Sequence, residues 1–214
     1  MWKLSICLFL AAAFVSCSHN TTNNTGVPTQ PLMPLAQGNT WIYVDTIFAT
    51  SDTVYADTVT INANQLEFTG PNGNVVLNGV NETDTTGIFA GTYLGLDPSN
   101  TAVWQYDSLS GPQPYVYFET ATQDGTNLGT GTGPTVGGCT EGITQYGYAT
   151  TTVINGHTCL KNIVLTYNCS NTIVEQDDIY LDPGIGLVRF DDWQLNSSGV
   201  LAIDFSQTLV SDTL

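Results

Sequence analysis

Short runs of β-branched and aromatic residues alternate with clusters of Gly, Pro, Asn and Asp from Gly38 to the end of the chain. Runs of this kind are typical of antiparallel strands joined by tight turns. They predict twelve strands: Thr40–Thr50, Thr53–Asn62, Gln65–Thr69, Val75–Val80, Ile88–Leu94, Ala102–Ser108, Tyr115–Thr120, Ile143–Val153, His157–Tyr167, Ile173–Leu181, Leu187–Gln194 and Val200–Leu209. No stretch shows an apolar period of 3.6 residues with caps, so we expect short helices or none. The pattern predicts an all-β fold, an antiparallel meander forming a sandwich or barrel-like domain.

Alternation inside the first run predicts which residues face the core. Trp41, Tyr43 and Asp45 occupy alternate positions and should share one face of the strand. Two Asn-Gly pairs, Asn72-Gly73 and Asn155-Gly156, predict hairpin turns, because both residue types accept the positive φ that tight hairpins need.

The stretch Gln123–Gly138 contains six glycines and one proline. This composition predicts a long loop that separates seven strands from five. Such a loop is either a plain surface connection or a binding loop.

The N-terminus has the pattern of an export signal. One positive charge at Lys3 precedes an apolar run, Leu4–Val15, that is too short to span a bilayer. The run ends in Phe14-Val15-Ser16-Cys17, which resembles the lipobox of bacterial lipoproteins, with Phe14 standing where Leu is usual. The resemblance implies cleavage before Cys17 and acylation of its new N-terminus, so the membrane is an expected partner through this lipid.

The segment after Cys17 is polar, uncharged apart from the titratable His19, and punctuated by proline, which predicts a flexible tether. We therefore expect a signal peptide over residues 1–16, an acylated cysteine and linker over 17–37, and a single all-β domain over 38–214. Ser18 resembles the outer-membrane sorting pattern of lipoproteins, and the choice between the periplasmic and surface faces stays open.

Charge excludes two kinds of partner. The chain carries 3 Lys and Arg against 19 Asp and Glu, for a formal net charge of -16. Nucleic acid is excluded, because phosphate binding depends on Lys and Arg. Electrostatic attachment to an anionic membrane is excluded for the same reason.

Three cysteines, Cys139, Cys159 and Cys169, remain after the leader and the anchor. Export would place these cysteines in an oxidising compartment, which predicts one disulfide and one free thiol. We favour Cys159 with Cys169, since the segment between them can fold back, with Cys139 and either partner as the alternatives.

Two stretches resemble uncharacterised Bacteroidota-type lipoproteins built as β-meanders. Pro34-Leu35-Ala36-Gln37-Gly38-Asn39-Thr40-Trp41-Ile42-Tyr43 is similar to their P-L-x-x-G-N-x-W-x-Y opening, and Pro183-Gly184-Ile185-Gly186-Leu187-Val188 to their P-G-x-G-x-V segment. The resemblance implies an architecture, in which Trp41 and Tyr43 anchor the first strand and the two glycines form a tight turn.

Acidic residues gather on two neighbouring predicted strands. They are weak candidates for a metal site: Asp177, Asp178, Asp182, Asp191 and Asp192. Their spacing matches no calcium loop, and alternate positions point to opposite faces, so a solvated acidic face is the favoured interpretation, with one carboxylate pairing to Arg189.

No catalytic motif is present. There is no G-x-S-x-G and no H-E-x-x-H, and His157 is expected to flank a turn. Four scattered glutamates could in principle supply a glycosidase pair: Glu67, Glu119, Glu141 and Glu175. We expect no enzyme and no cofactor.

A short motif of Asp, then Thr or Ser, recurs six times. It resembles the periplasmic O-glycosylation acceptor of Bacteroidota. The acceptors that it implies are Thr46, Thr53, Thr58, Thr85, Ser108 and Thr213.

Three functions follow. The favoured one is a lipid-anchored domain of the cell envelope with a non-enzymatic binding or structural role, its partner being a glycan, an apolar ligand or an envelope protein. The first alternative is a lipocalin-like carrier, which needs an apolar cavity. The second is a glycan-acting enzyme, which needs two carboxylates across a cleft.

Overall fold

The computed structural model describes residues 28–48, 53–84, 88–107, 114–136 and 138–214. These contain twelve strands: β1 (Thr40–Ile47), β2 (Thr53–Gly70), β3 (Gly73–Glu82), β4 (Tyr93–Leu96), β5 (Ala102–Tyr106), β6 (Tyr115–Glu119), β7 (Thr126–Val136), β8 (Cys139–Ile154), β9 (His157–Tyr167), β10 (Ile173–Asp182), β11 (Gly186–Leu195) and β12 (Leu201–Thr213). The predicted signal peptide and Cys17 lie outside the described residues. The part of the chain that is described holds no helix able to span a bilayer.

All twelve strands belong to one antiparallel sheet, which confirms the predicted fold class. Its order is β6-β5-β4-β3-β2-β1-β12-β11-β10-β9-β8-β7. The chain thus forms two meanders, β1–β6 and β7–β12, and they join where the first strand pairs with the last. Each strand within a meander pairs with its neighbour in sequence, because short turns favour antiparallel partners.

The sheet curls into a nearly closed barrel, and side chains make the closure. Asn162 on β9 accepts from the Glu119 backbone N–H at 3.0 Å and donates to the Glu119 carbonyl at 2.9 Å. Gln145 on β8 donates to the Tyr117 carbonyl at 3.2 Å. Ala121 lies directly against Gly147, where a Cβ would approach its side chain to 2.7 Å. The β6 end of the sheet therefore docks on the concave face of β8 and β9.

The concave face holds the core. Trp41, Tyr43 and Asp45 are all fully buried, whereas Ile42 is 39% exposed, so the predicted alternation along β1 is confirmed. The largest buried apolar side chains come from both meanders: Trp41, Tyr43, Phe89, Phe118, Leu32, Met33, Ile61, Leu77, Leu94, Leu181 and Leu187.

The two stretches that resemble lipoprotein motifs meet in this core. The Trp41 indole N–H donates to the Ile185 carbonyl at 2.6 Å, and the Tyr43 hydroxyl donates to the Leu187 carbonyl at 3.1 Å. Gly184 and Gly186 have φ of 92° and 107°, as the predicted tight turn requires. The opening strand and the β10–β11 turn thus stabilise each other across the sheet.

The folded part begins earlier than predicted. Residues 28–37 fell in the predicted linker, yet Leu32 and Met33 are fully buried. The Leu32 N–H donates to the Asn100 side chain at 2.8 Å, and the Gly184 N–H donates to the Pro31 carbonyl at 2.7 Å. These contacts hold the proline-rich segment against the core, so residues 28–37 pack with the domain that was predicted to begin at residue 38.

The predicted Gly-rich loop was also wrong, because Thr126–Val136 forms strand β7. Thr and Gly alternate there, and the strand pairs with β8 over most of its length. A Cβ at Gly129 or Gly131 would meet nothing within 4 Å, so these glycines fill no tight contact. Glycine has a low propensity for strands, but the backbone hydrogen bonds to the neighbouring strand β8 hold this segment extended.

Both predicted Asn-Gly turns are confirmed. Asn155 and Gly156 have φ of 51° and 89° and connect β8 to β9, and Gly73 has φ of 120° at the end of the β2–β3 turn. The two runs predicted before that turn, over residues 53–62 and 65–69, form one long strand, β2, with an irregular register between Ile61 and Gln65.

The disulfide joins Cys139 to Cys169, with 5.8 Å between their Cα atoms. The favoured pairing of Cys159 with Cys169 was wrong. Pairing of Gly142 with Tyr167 brings the start of β8 beside the end of β9 and so places these two cysteines together. Cys159 is a buried free thiol, because its side chain faces the core.

Candidate functional site

The β10–β11 hairpin sorts four aspartates onto two faces. Asp177 lies opposite Asp192, and Asp178 lies opposite Asp191. Opposed residues share a face and successive residues alternate, so Asp177 and Asp192 face inward while Asp178 and Asp191 face outward. The register that produces this sorting depends on the Pro183–Gly186 turn and on a shift of one residue between Tyr180 and Leu181.

The outer pair is matched by cations. Lys161 donates to Asp178 at 3.0 Å, and the Arg189 Nε–H donates to both oxygens of Asp191 at 2.9 and 2.8 Å. The Ser206 hydroxyl adds a bond to Asp191 at 2.6 Å. The predicted partner of Arg189 is therefore Asp191. Both outer carboxylates are almost fully buried, and each has a charged donor.

The inner pair is joined by a third acid, Glu175. One carboxylate oxygen from each of Glu175, Asp177 and Asp192 lies within 4.8 Å of the other two. The Gln194 amide donates to Glu175 at 3.0 Å and to Asp192 at 2.9 Å. We call these three residues the inner triad. The Lys and Arg side chains within residues 28–214 are Lys161 and Arg189, and both bind on the outer face.

Burial without a cation makes the two aspartates of the inner triad hard to ionise. Desolvation, together with the charges of Glu175, Asp192 and Asp178, raises the pKa of Asp177 to about 8. Desolvation raises the pKa of Asp192 to about 6, even though Gln194 donates to it. Near neutral pH the triad therefore carries fewer than three charges, and it gains charge when a cation approaches.

An open cavity of 310 Å³ lies beside the inner triad on the concave face. Its walls combine apolar side chains with the carboxylates: Ile47, Tyr55, Ile88, Glu175, Asp177, Phe190, Asp192 and Phe205. Phe190 and Phe205 are neighbours, with ring centroids 6.2 Å apart. The cavity thus offers an apolar wall and an acidic wall to one ligand.

Below the cavity lies a deeper layer of buried polar groups. Asp45 is fully buried, lies opposite Tyr55 and Gln207, and projects from the same face as Ile47. Neither carboxylate oxygen of Asp45 has a hydrogen-bonding partner among the described residues. Desolvation raises its pKa to about 7; the neighbouring Gln207 side chain opposes this shift, and the charge of Asp57 adds to it.

Glu82 shares this layer and is held neutral. Burial and the adjacent Asp57 carboxylate raise the pKa of Glu82 to about 9. Asp57 accepts from the Thr58 and Asp84 backbone N–H groups at 2.7 and 2.9 Å. A neutral Glu82 beside Asp57 closes the floor of the interior.

Tyr117 reaches the same interior from β6. Its side chain is 9% exposed, and its hydroxyl has no partner among the described residues. Desolvation raises the pKa of the phenol, and the nearby Asp177 carboxylate raises it further. Tyr117 therefore holds an unused hydrogen-bonding group beside the inner triad.

A second, shallower depression of 490 Å³ is lined by Tyr55, Ala56, Thr83 and Asp84. The Tyr55 hydroxyl already donates to Asp84 at 2.7 Å. Ala56 gives this depression little apolar wall, so the 310 Å³ cavity is the stronger candidate for a ligand.

The predicted metal candidates separate in the structure. Asp177 and Asp192 lie together, whereas Asp178 and Asp191 lie on the other face and Asp182 binds His157 at 3.1 Å. That bond raises the pKa of His157, which flanks the β8–β9 turn as predicted. Among the described residues the inner triad is the one group of acids close enough to share a cation.

Sequence reasoning missed the two residues that complete this arrangement. Glu175 was weighed only as one of four glutamates, and Asp45 only as a face marker. Part of the signal was present, since Glu175 and Asp177 are two apart on a strand and so share a face. Glu67 and Glu141 are not among the residues that line the cavity.

The predicted glycosylation acceptors are divided. Thr53 and Thr213 are exposed at strand ends, and Thr46 and Thr58 are half-buried within strands. Thr85 and Ser108 lie outside the described residues. Glycosylation stays a prediction.

Comparison with known proteins gives a similarity of fold alone. No protein-family model and no curated protein matches the chain. A solved structure from Bacteroides fragilis, assigned as an exported protein with a YmcC-like fold, is 13% identical over 86% of this chain and 100% of its own, with a TM-score of 0.45. A solved structure from Parabacteroides distasonis, assigned as a lipoprotein, is 12% identical over 86% of this chain and 99% of its own, with a TM-score of 0.42.

A LolA superfamily protein from Nitrosomonas europaea is 10% identical over 89% of both chains, with a TM-score of 0.29. At these scores the similarity concerns the arrangement of strands and carries no ligand or activity over to this chain.

Proposed function

We propose that the chain is a lipid-anchored binding protein of the bacterial outer membrane that holds a small molecule in the 310 Å³ cavity and performs no chemistry on it. The observation that supports this most is the cavity itself, whose size falls at the lower end of the roughly 300–1,000 Å³ typical of ligand pockets. The lipid at Cys17 would hold the domain at the membrane, and Ser18 supports the outer-membrane location.

The cavity's apolar wall favours binding over a purely structural role. Ile47 is 36% exposed, and Ile88, Phe190 and Phe205 line the same opening. Apolar surface left in water costs about 25 cal/mol per Å², and a ligand with an apolar part would recover that free energy. The rest of the concave face is filled by the core, so this opening is where a ligand can enter.

A lipocalin-like carrier of a purely apolar ligand is less well supported. Such a ligand would cover the inner triad without offering it a hydrogen bond, and burying unpaired polar groups is costly. The ligand should therefore be amphipathic.

A glycan-acting enzyme is also less well supported. Glycosidase carboxylates flank the scissile bond from two sides, about 5 to 10 Å apart. Glu175, Asp177 and Asp192 instead lie side by side on neighbouring strands, within 4.8 Å of one another.

Filling the cavity tests the proposal. Ile47→Trp places an indole at the rim, and we expect it to weaken binding of both 2-phenylethanol and 2-phenylethylammonium at least about tenfold, or 1.4 kcal/mol. Calorimetric titration of the full-length protein measures both affinities. Val153→Trp is the matched control, because Val153 is 71% exposed on β8 and lies away from the cavity.

Neither probe binding the wild-type protein, or Ile47→Trp binding both as well as Val153→Trp does, would contradict a ligand cavity at this place.

A further inference from the structure

We propose that the inner triad binds the ammonium group of a small organic cation, and that the apolar body of this ligand packs against Ile47, Ile88, Phe190 and Phe205. This inference rests on the proposed function and names the class of ligand that the cavity takes. The geometry, a buried hydroxyl without a partner beside it and the charge distribution each support it.

The spacing of the three carboxylates suits an ammonium nitrogen. Three oxygens that lie within 4.8 Å of one another leave a point about 2.8 Å from all three, which is the length of an N⁺–H···O⁻ hydrogen bond. A primary ammonium group has three N–H donors, one for each carboxylate. Gln194 holds Glu175 and Asp192 in place for this contact, at 3.0 and 2.9 Å.

One buried hydroxyl near the triad lacks a partner and so points to a missing ligand. The Tyr117 side chain is only 9% exposed, and its hydroxyl has no partner among the described residues. The hydroxyl lies close enough to Asp177 for the charge of that carboxylate to raise its pKa. Native proteins leave few such groups unsatisfied without a functional reason.

The distribution of charge gives the ligand its sign. In residues 28–214 the Lys and Arg side chains, Lys161 and Arg189, are both engaged on the outer face. The interior therefore presents carboxylates and no counter-charge from the chain itself, and a net charge of -16 raises the local concentration of cations.

The apolar wall distinguishes an organic cation from a metal ion. A calcium ion takes six to eight oxygen ligands and gains nothing from hydrocarbon. Phe190 and Phe205 instead offer aromatic rings to an organic body, and such rings also attract an adjacent ammonium group.

Matched variants on one hairpin test this inference. The full-length protein, Asp177→Asn/Asp192→Asn and Asp178→Asn/Asp191→Asn are titrated with 2-phenylethylammonium, with neutral 2-phenylethanol and with Ca²⁺ alone. Both double variants remove two carboxylates from β10 and β11, on opposite faces. Circular dichroism first confirms that each is folded.

We expect the wild-type protein to bind the ammonium probe about tenfold to a hundredfold more tightly than the alcohol, the ratio that charge-assisted hydrogen bonds supply. The inner variant should lose that preference, and the outer variant should keep it. If the outer variant is unfolded, Lys161→Met serves as the outer-face control.

Three results would overturn the inference. Equal binding of the two probes, both weakened by Ile47→Trp, would leave the ligand cavity standing and remove the cation. Triad-dependent binding of Ca²⁺ without a preference for the ammonium probe would identify a metal site instead. Binding of neither probe would remove both the inference and the proposed function.

Discussion

The two faces of the β10–β11 hairpin each carry a pair of aspartates, but only one pair has basic side chains beside it. Asp178 and Asp191, on the outer face, are nearly fully buried, and each binds a cation. Asp177 and Asp192, one position along each strand, share their face with Glu175 and with no Lys or Arg of the described residues. Successive residues on a strand alternate between the two faces, so a shift of one position decides whether an aspartate on this hairpin is ion-paired.

The comparison separates a structural arrangement from a functional one. The outer pair, Asp178 and Asp191, forms ion pairs within the chain, which is how folded proteins normally tolerate buried charges. The carboxylates of the inner triad lie away from the chain's few basic side chains, and this arrangement destabilises the free protein. Arrangements of this kind concentrate at functional sites, where stability is given up for binding.

The largest expected effect is the pH dependence of stability. The acids with raised pKa on the inner face are Asp45, about 7, Glu82, about 9, Asp177, about 8, and Asp192, about 6. Each holds its proton more tightly when folded than when unfolded, so its stabilisation is complete below about pH 4 and is lost as pH rises through its folded pKa.

We therefore expect the melting temperature to fall by about 10 °C between pH 5.5 and pH 9.5, measured by calorimetry. Other titratable groups lie close to these acids or share their interior: Asp57, Tyr43, Glu175, Tyr117 and Asp204. His157, whose pKa is also raised, changes stability in the same direction over the lower part of this range. Asp97, whose pKa is lowered by its hydrogen bonds, acts the opposite way, but only at more acid pH. A melting temperature that rises from pH 5.5 to pH 9.5 would contradict buried, neutral inner acids.

Breaking the outer pair should be the next largest effect. Asp191→Asn removes the charge that Arg189 and Ser206 bind, and we expect it to cost about 2 kcal/mol in urea unfolding. The estimate is below that for a fully buried pair because Arg189 is 37% exposed. Asp192→Asn, the adjacent residue, is the control and should cost less than about 0.5 kcal/mol at pH 7.

If Asp192→Asn cost as much as Asp191→Asn, the two faces would not differ as described, and the comparison would fail.

The smallest expected effect comes from a substitution in the inner triad alone. Asp177→Asn keeps the shape of the side chain and removes a proton that the folded protein holds up to about pH 8. We expect the variant to gain unfolding free energy relative to the wild-type protein, by about 1 kcal/mol more at pH 9 than at pH 6, because the wild-type carboxyl becomes charged and repelled by its neighbours over this range. Denaturation at both pH values measures this, and an equal change at both would show that Asp177 is already ionised at pH 6.

Much of the fold followed from the sequence, because strand period and turn chemistry are local. Trp41, Tyr43 and Asp45 share a face as predicted, and Asn155-Gly156 forms the expected turn. The pairing of β1 with β12, and the curl that sets β6 against β9, depend on contacts distant in sequence and could not be predicted this way.

The candidate site could be predicted only in part, because it too depends on contacts between residues distant in sequence. Alternation already separated Asp177 from Asp178. The register next to the turn would place Asp177 opposite Asp191, however, and only the irregularity between Tyr180 and Leu181 shifts its partner to Asp192. Which face is the interior was not deducible, because both faces of this hairpin carry acids. Cys139 and Cys169 were likewise joined by the register of β8 and β9, which no spacing of cysteines reveals.

The most direct test of a cation-binding interior is the titration of its carboxylates. Carbon NMR of labelled side chains in the full-length protein should show the Asp177 carboxyl of the inner triad titrating near pH 8. Saturating 2-phenylethylammonium should lower that value by about one unit or more, because the cation stabilises the charged form. A value that stays unchanged while the probe is bound would contradict the account.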